Sequence, residues 1–152
     1  MRIYTLDRSQ FLPVSAEKAW DFFSNPRNLP LITPPELNIR ITSELEEKIY
    51  PGMIITYTIT PVPFIKTGWT TEITHVDSPG YFVDEQRSGP YKLWHHKHFF
   101  LKSGEKTQIR DLIHYSMPFG SIGRLANLLL INRKLDFIFN YRSEQIREIF
   151  EI

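Results

Sequence analysis

Three histidines cluster at His95, His96 and His98, and carboxylates stand on the neighbouring segments at Asp84 and Asp111. An extended chain sends alternate residues to opposite faces, so Trp94, His96, His98 and Phe100 share one face while Leu93, His95, Lys97 and Phe99 share the other. The first set carries the larger apolar groups and is expected to face the interior. A turn on Ser103-Gly104 pairs Lys102 with Glu105 and places His96 opposite Asp111, His98 opposite Ile109 and Trp94 opposite Ile113. On the preceding hairpin, a two-residue turn on Gly89-Pro90 puts Gln86 on the wrong side. A three-residue turn over Gly89, Pro90 and Tyr91 pairs Asp84 with His96 and Gln86 with Trp94. The expectation is a row of Asp84, His96 and Asp111 across three strands, because isolated charges on an apolar face are costly and a hydrogen-bonded network is not.

An imidazole beside a carboxylate can orient a ligand carbonyl or carboxylate, or exchange a proton with a substrate. His96 and Asp111 are the candidates for such chemistry, with His98 in support. The same pair serves equally well to fix strand register, and both readings stand at this point. His96-x-His98 with an acid on the next strand also has the ligand types of a mononuclear metal site, but such sets arise by chance in a polar sheet and no metal is expected. The chain has no glycine-rich phosphate loop, no G-x-S-x-G elbow and no H-E-x-x-H, so no cofactor is expected either.

These side chains must be positioned by a chain of 152 residues, the length of one ordinary domain spanning 1–152. Hydrophobic residues make up 41% and charged residues 23%, a globular composition, and the net charge of +1 gives no general attraction to nucleic acid or anionic lipid. Polar recognition must therefore be local. With no cysteine there is no disulfide framework, thiolate metal site or cysteine nucleophile. That composition, and an N-terminus without a secretory apolar stretch, point to the cytoplasm. The longest apolar run outside the strands, Leu128 to Ile131, is far too short to span a membrane.

Residues 1–12 read as a strand ending at Pro13, followed by a helix capped by Ser15 with Ala16, Ala19, Trp20 and Phe23 at helical spacing. Asn25-Pro26 ends it. Four prolines between Pro26 and Pro35 predict a short helical turn and loop bordering a cavity mouth. From Leu37 the period becomes two, with strands expected near 37–43, 53–60, 65–76, 81–87, 91–101 and 106–117, separated by turn-forming residues; consecutive hairpins imply an antiparallel sheet. Residues 121–150 then read as one amphipathic helix burying Leu125, Leu128, Leu129, Leu135, Ile138, Phe139, Ile146 and Ile149, with Arg124, Arg133, Lys134, Glu144, Arg147 and Glu148 in solvent.

This order of elements resembles the helix-grip fold of the Bet v 1-like, START-domain and polyketide-cyclase superfamily (SRPBCC) over essentially the whole chain. The run Asp84 to Phe100 is similar to a D-x-Q-x-x-G-P-[FY]-x-x-W-x-H-x-H-x-F pattern of bacterial ligand-binding members. Asp111, Tyr115 and Pro118-Phe119-Gly120 match a further D-x-x-x-Y-x-x-P-F-G stretch. The resemblance implies an α+β fold in which a curved antiparallel sheet of six to seven strands wraps a long C-terminal helix, with two short helices after the first strand. It also implies a pocket for a small hydrophobic or amphipathic molecule. Within it, Asp84, Gln86, His96, His98 and Asp111 are expected to recognise polar groups, and Tyr57, Trp69, Trp94 and Tyr115 to make apolar contact, although large aromatics such as these and Trp20 and Phe82 also simply fill cores. The alternative is a cyclase or dehydratase-like enzyme using His96, oriented by Asp111, on a carbonyl substrate. A third class, protein interaction, would use an exposed patch near Leu29, Leu31 and Ile32.

Overall fold

The structure is a computed structural model describing residues 1–152. Strand β1 (Tyr4–Leu12) leads into α1 (Ala16–Phe23), whose first turn is capped by Ser15, its Oγ accepting from the Lys18 amide at 3.2 Å. Asn25 then caps a 3-10 helix, Pro26–Ile32, and a second short 3-10 turn follows at Pro35–Leu37. The strand expected over 37–43 shrinks to β2 (Arg40–Ile41), because the Pro34-Pro35 pair is drawn into that turn and Asn38 leaves it in the left-handed conformation. The remaining strands are β3 (Ile54–Val62), β4 (Ile65–Asp77), β5 (Tyr81–Ser88), β6 (Leu93–Ser103) and β7 (Lys106–Ser116). Together the seven strands form one antiparallel sheet in the order β1-β7-β6-β5-β4-β3-β2. Register shifts within the β3–β4 and β4–β5 pairs add the local bends that curve it.

The C-terminal helix is continuous over 30 residues, as α2 (Gly120–Ala126), a π turn (Asn127–Ile131) and α3 (Asn132–Ile149). The π turn changes which side chains face the sheet. Inward positions recur every four residues through Gly123, Asn127, Ile131, Leu135 and Phe139, and only afterwards return to ordinary helical spacing at Arg142 and Ile146. Leu125, Leu128 and Leu129, expected in the core, are therefore turned out to solvent, and Ile149 is also exposed.

Two apolar clusters pack between helix and sheet. One gathers Leu12, Trp20, Ile55, Phe82, Phe100 and Ile146; the other gathers Leu6, Trp94, Ile113, Tyr115, Leu135 and Phe139. The proline-rich segment packs on the first of these: Ile32 is buried, Leu29 is partly buried against the cluster, and Leu31 alone is exposed. No apolar patch forms there, which corrects the third sequence reading.

The start of α2 depends on a close approach. A Cβ on Gly123 would lie 1.8 Å from the carbonyl oxygen of Pro118. Gly123→Ala is expected to cost about 1–3 kcal/mol through overpacking, read as a lowered denaturation midpoint; an unchanged midpoint would show that α2 is not seated on residues 117–118.

Candidate functional site

The polar side chains meet at the seam between the two clusters. The β6–β7 turn sits on Gly104-Glu105, with a positive φ at Gly104 and none at Glu105, the pattern of a turn that takes glycine in its first central position. The register is therefore displaced by two residues from the expected one: Asp111 pairs with His98, and His96 pairs with Ile113. A shift of two keeps every side chain on its expected face. On the other side Asp84 pairs with His96, as the three-residue turn predicts. The intended row thus becomes a diagonal square in which Asp84 and Asp111 flank both imidazoles.

Both nitrogens of His98 meet carboxylates, Nε2 lying 2.6 Å from Asp84 Oδ2 and Nδ1 3.1 Å from Asp111 Oδ1. Carboxylate oxygens only accept, so Nε2–H donates to Asp84, and an imidazolium is the form that also suits the Asp111 carboxylate facing Nδ1 as an ion pair. Burial opposes that charge, but the two acids on either side outweigh it and raise the His98 pKa. His96, its ring 3.7 Å from that of His98, goes the other way: burial and then the neighbouring charge of His98 lower its pKa, against the Asp111 hydrogen bond. It is the neutral member, donating from Nε2 to Asp111 Oδ1 at 2.8 Å, with Nδ1 left 3.7 Å from Asp84 Oδ2. Burial by itself would raise both acids; the histidines and Arg142 hold Asp84 low and Asp111 well below the usual carboxylate range.

Arg142 is the member of this polar cluster that the sequence reading missed. It stands three residues after Phe139 and four before Ile146, on the buried stripe of α3, and a cation on such a stripe is the signal that marks it. Its side chain is 12% exposed, its guanidinium lies 4.6 Å from the Phe139 ring centre and its Nη1 is 3.8 Å from Asp111 Oδ1. The Nε–H group has no hydrogen-bond partner. With His98 and Arg142 positive, Asp84 and Asp111 negative and His96 neutral, the cluster carries no net charge.

These groups border a cavity of about 500 Å³ between the sheet, α3 and the proline-rich segment. Of the residues singled out in the sequence, Tyr57, Trp69, Asp84, Trp94, His96 and His98 line it. Asp111 lies behind the histidines. Gln86 does not reach the cavity; its amide bonds both the carbonyl and the N–H of Tyr91, at 2.7 and 3.2 Å, and so closes the β5–β6 loop. Gly89 permits that clasp, since a Cβ there would stand 2.6 Å from Gln86 Oε1. Tyr115 is likewise structural, donating to Asn132 Oδ1 at 2.7 Å and fixing the helix beside its π turn. Lys134, expected in solvent, is half-buried on the cavity wall, and burial lowers its pKa. Asp84, His96 and His98 bring three ligand-type atoms within 4.8 Å of one another; a metal held there would have to displace the proton that His98 Nε2 donates to Asp84.

No family model matches the sequence, and neither does any curated protein. Solved structures do match the fold. A major latex-like protein from Panax ginseng superposes with a TM-score of 0.69 at 13% identity, over 97% of each chain. A norcoclaurine synthase point mutant from Thalictrum flavum, in complex with a transition-state analogue, gives 0.68 at 15% identity, over 97% of this chain and 96% of that one. Protein Ms6760 from Mycobacterium smegmatis gives 0.65 at 17% identity, over 95% of this chain and 92% of that one. The chain has the Bet v 1-like helix-grip fold. In this helix-grip chain the grip closes on a polar centre, and no helix is long and apolar enough to cross a membrane.

His98→Gln removes the cation between two buried acids, and a loss of about 3 kcal/mol is expected, the scale for breaking a buried pair. The sign follows from the raised pKa. The wild-type advantage is full below pH 6.5, the ordinary histidine value, and fades as pH climbs through the higher folded value. Denaturation of both proteins at several pH values reads this difference; a gap that widens toward alkaline pH would contradict the imidazolium assignment.

Proposed function

We propose that this protein binds a small hydrophobic or amphipathic molecule in the cavity, with an oxygen acceptor of the ligand placed against Arg142. The observation that carries the reading is Arg142, a largely buried cation on the wall of an otherwise mainly apolar cavity, whose one ion pair, to Asp111, is as long as 3.8 Å. A guanidinium so weakly paired gains from a ligand oxygen that accepts from it. The volume suits a drug-sized occupant, and Trp69, Trp94 and Tyr57 offer it broad apolar surface. The fold of a norcoclaurine synthase with dopamine and hydroxybenzaldehyde bound supports a ligand role by likeness of architecture alone.

Binding is favoured over cyclase or dehydratase chemistry by the orientation of His96. Its Nε2 is committed to Asp111, and the nitrogen that would serve as base faces Asp84. The neutral cluster also gives a preference among ligands. A carbonyl or ether oxygen leaves the charge balance intact, whereas a carboxylate adds a buried negative charge that His96 would have to meet by taking up a proton.

Two neutral fluorescent probes test the reading, prodan, whose ketone offers an acceptor oxygen, and phenylnaphthylamine, which offers none. Both should bind the wild type. Arg142→Met, which keeps the apolar volume, should weaken prodan by roughly tenfold to a hundredfold, the scale of a hydrogen bond to a charged group, and leave phenylnaphthylamine nearly unchanged. Equal loss of both probes would make Arg142 a packing residue, and failure of the wild type to bind either would remove the cavity as a site.

A further inference from the structure

The hairpin topology gathers one end of the sheet from four stretches: the start of β1, the β3–β4 turn, the β5–β6 loop and the segment leaving β7 for α2. That end is unusual in two independent ways. It exposes large apolar side chains, among them Val62, Phe64, Ile65, Phe119, Ile122 and Leu130. Phe64 and Phe119 are 103% and 81% exposed, and both hold positive φ, 67° and 64°. A bulky side chain is strained there, and glycine would be the ordinary choice. Two phenylalanines are thus held out in solvent at backbone positions that disfavour them.

The second peculiarity is charge. Residues 1–6, 54–71, 88–95 and 112–135 contain Arg2, Lys66, Lys92, Arg124, Arg133 and Lys134 and no aspartate or glutamate, in a chain whose totals are nearly balanced at 18 basic and 17 acidic residues. None of these six cations is in an ion pair. Elsewhere Arg87, Arg110 and Arg147 are paired with Glu72, Asp7 and Glu144. The carboxylate of Glu36, on the Pro35–Leu37 turn, acts on Lys134. The cavity opens at this end, since Val62 and Leu130 both line it and stand in solvent.

Exposed apolar side chains ringed by unpaired cations match an interface of hydrocarbon beneath anionic headgroups. We propose that this end docks on an anionic lipid bilayer with the cavity mouth toward the membrane. An acidic protein partner would want shape and paired acceptors; protruding phenylalanines and a run of outward leucines suit a fluid apolar layer. The helix lies on that surface and does not cross it.

Sedimentation of the full chain with phosphatidylcholine vesicles, with and without phosphatidylglycerol, tests the surface without reference to any cavity ligand. Binding is expected to the anionic vesicles, falling as salt rises. Phe64→Gly with Phe119→Gly should reduce it by tenfold or more while thermal stability stays the same or increases, because glycine relieves both positive φ angles. Lys66→Glu with Arg124→Glu should reduce it as well. The proposal is overturned by absence of sedimentation, by equal binding to neutral vesicles, or by binding that none of these changes affects. It is also overturned by a dimer in ultracentrifugation that Phe64→Gly dissolves, which would make the face a contact between copies of this chain.

Discussion

An imidazolium held between two carboxylates in the middle of an apolar seam constrains everything around it. Burying any one of those charges alone would cost several kcal/mol, so His98, Asp84 and Asp111 must arrive together, from three adjacent strands, in one register. A slip of one residue in either hairpin would send a set of these groups to the outer face and leave the others unpaired. The cluster therefore specifies the pairing of β5, β6 and β7, and that pairing sets where the sheet faces α3. Arg142 completes the arrangement from the helix side, bringing the fourth charge and returning the sum to zero.

The two histidines stand in different electrostatic surroundings. His98, with both nitrogens engaged, joins the strands. His96, neutral and with one nitrogen uncommitted to hydrogen bonding, is the one whose environment a ligand can change. A single buried proton is shared out by geometry, because two imidazoliums with ring centres 3.7 Å apart would repel and the better-flanked ring keeps the charge.

The fold was legible in the sequence because hairpin periodicity and turn residues are local signals. Strand faces were legible for the same reason: alternation survives a register error of two, so Trp94, His96, His98, Ile109, Asp111 and Ile113 all point where alternation puts them. Which residue of β7 lies opposite which of β6 was not, because Ser103-Gly104 and Gly104-Glu105 are both acceptable turns and only the glycine's φ decides. Gln86 was misassigned because a strand pattern cannot show that the chain peels away after Glu85 and spends the amide on Tyr91. Arg142 went unnoticed because helical spacing was counted through apolar residues alone. The outward leucines follow from the π turn at Asn127–Ile131, whose i→i+5 bonding has no signature in composition. One hint was present, since Leu128 to Ile131 is a run of four consecutive apolar residues and no amphipathic helix can turn all of them to one face.

The two proposals constrain each other in one respect. The polar cluster sits on the middle of β5, β6 and β7, while the mouth with its exposed phenylalanines lies beyond the strand ends, so the cavity is polar inside and apolar toward the opening. An amphipathic molecule in a bilayer presents its polar group at the surface and its hydrocarbon below. Taken up by a protein resting on that surface, it would enter polar end first and come to lie with its oxygen at Arg142 and its apolar part toward Val62 and Leu130. The cavity's polarity is the one that transfer without inversion requires. A reversed cavity, polar at the mouth and apolar at its base, would force the molecule to turn end over end during loading, with its polar group passing through the apolar part of the site.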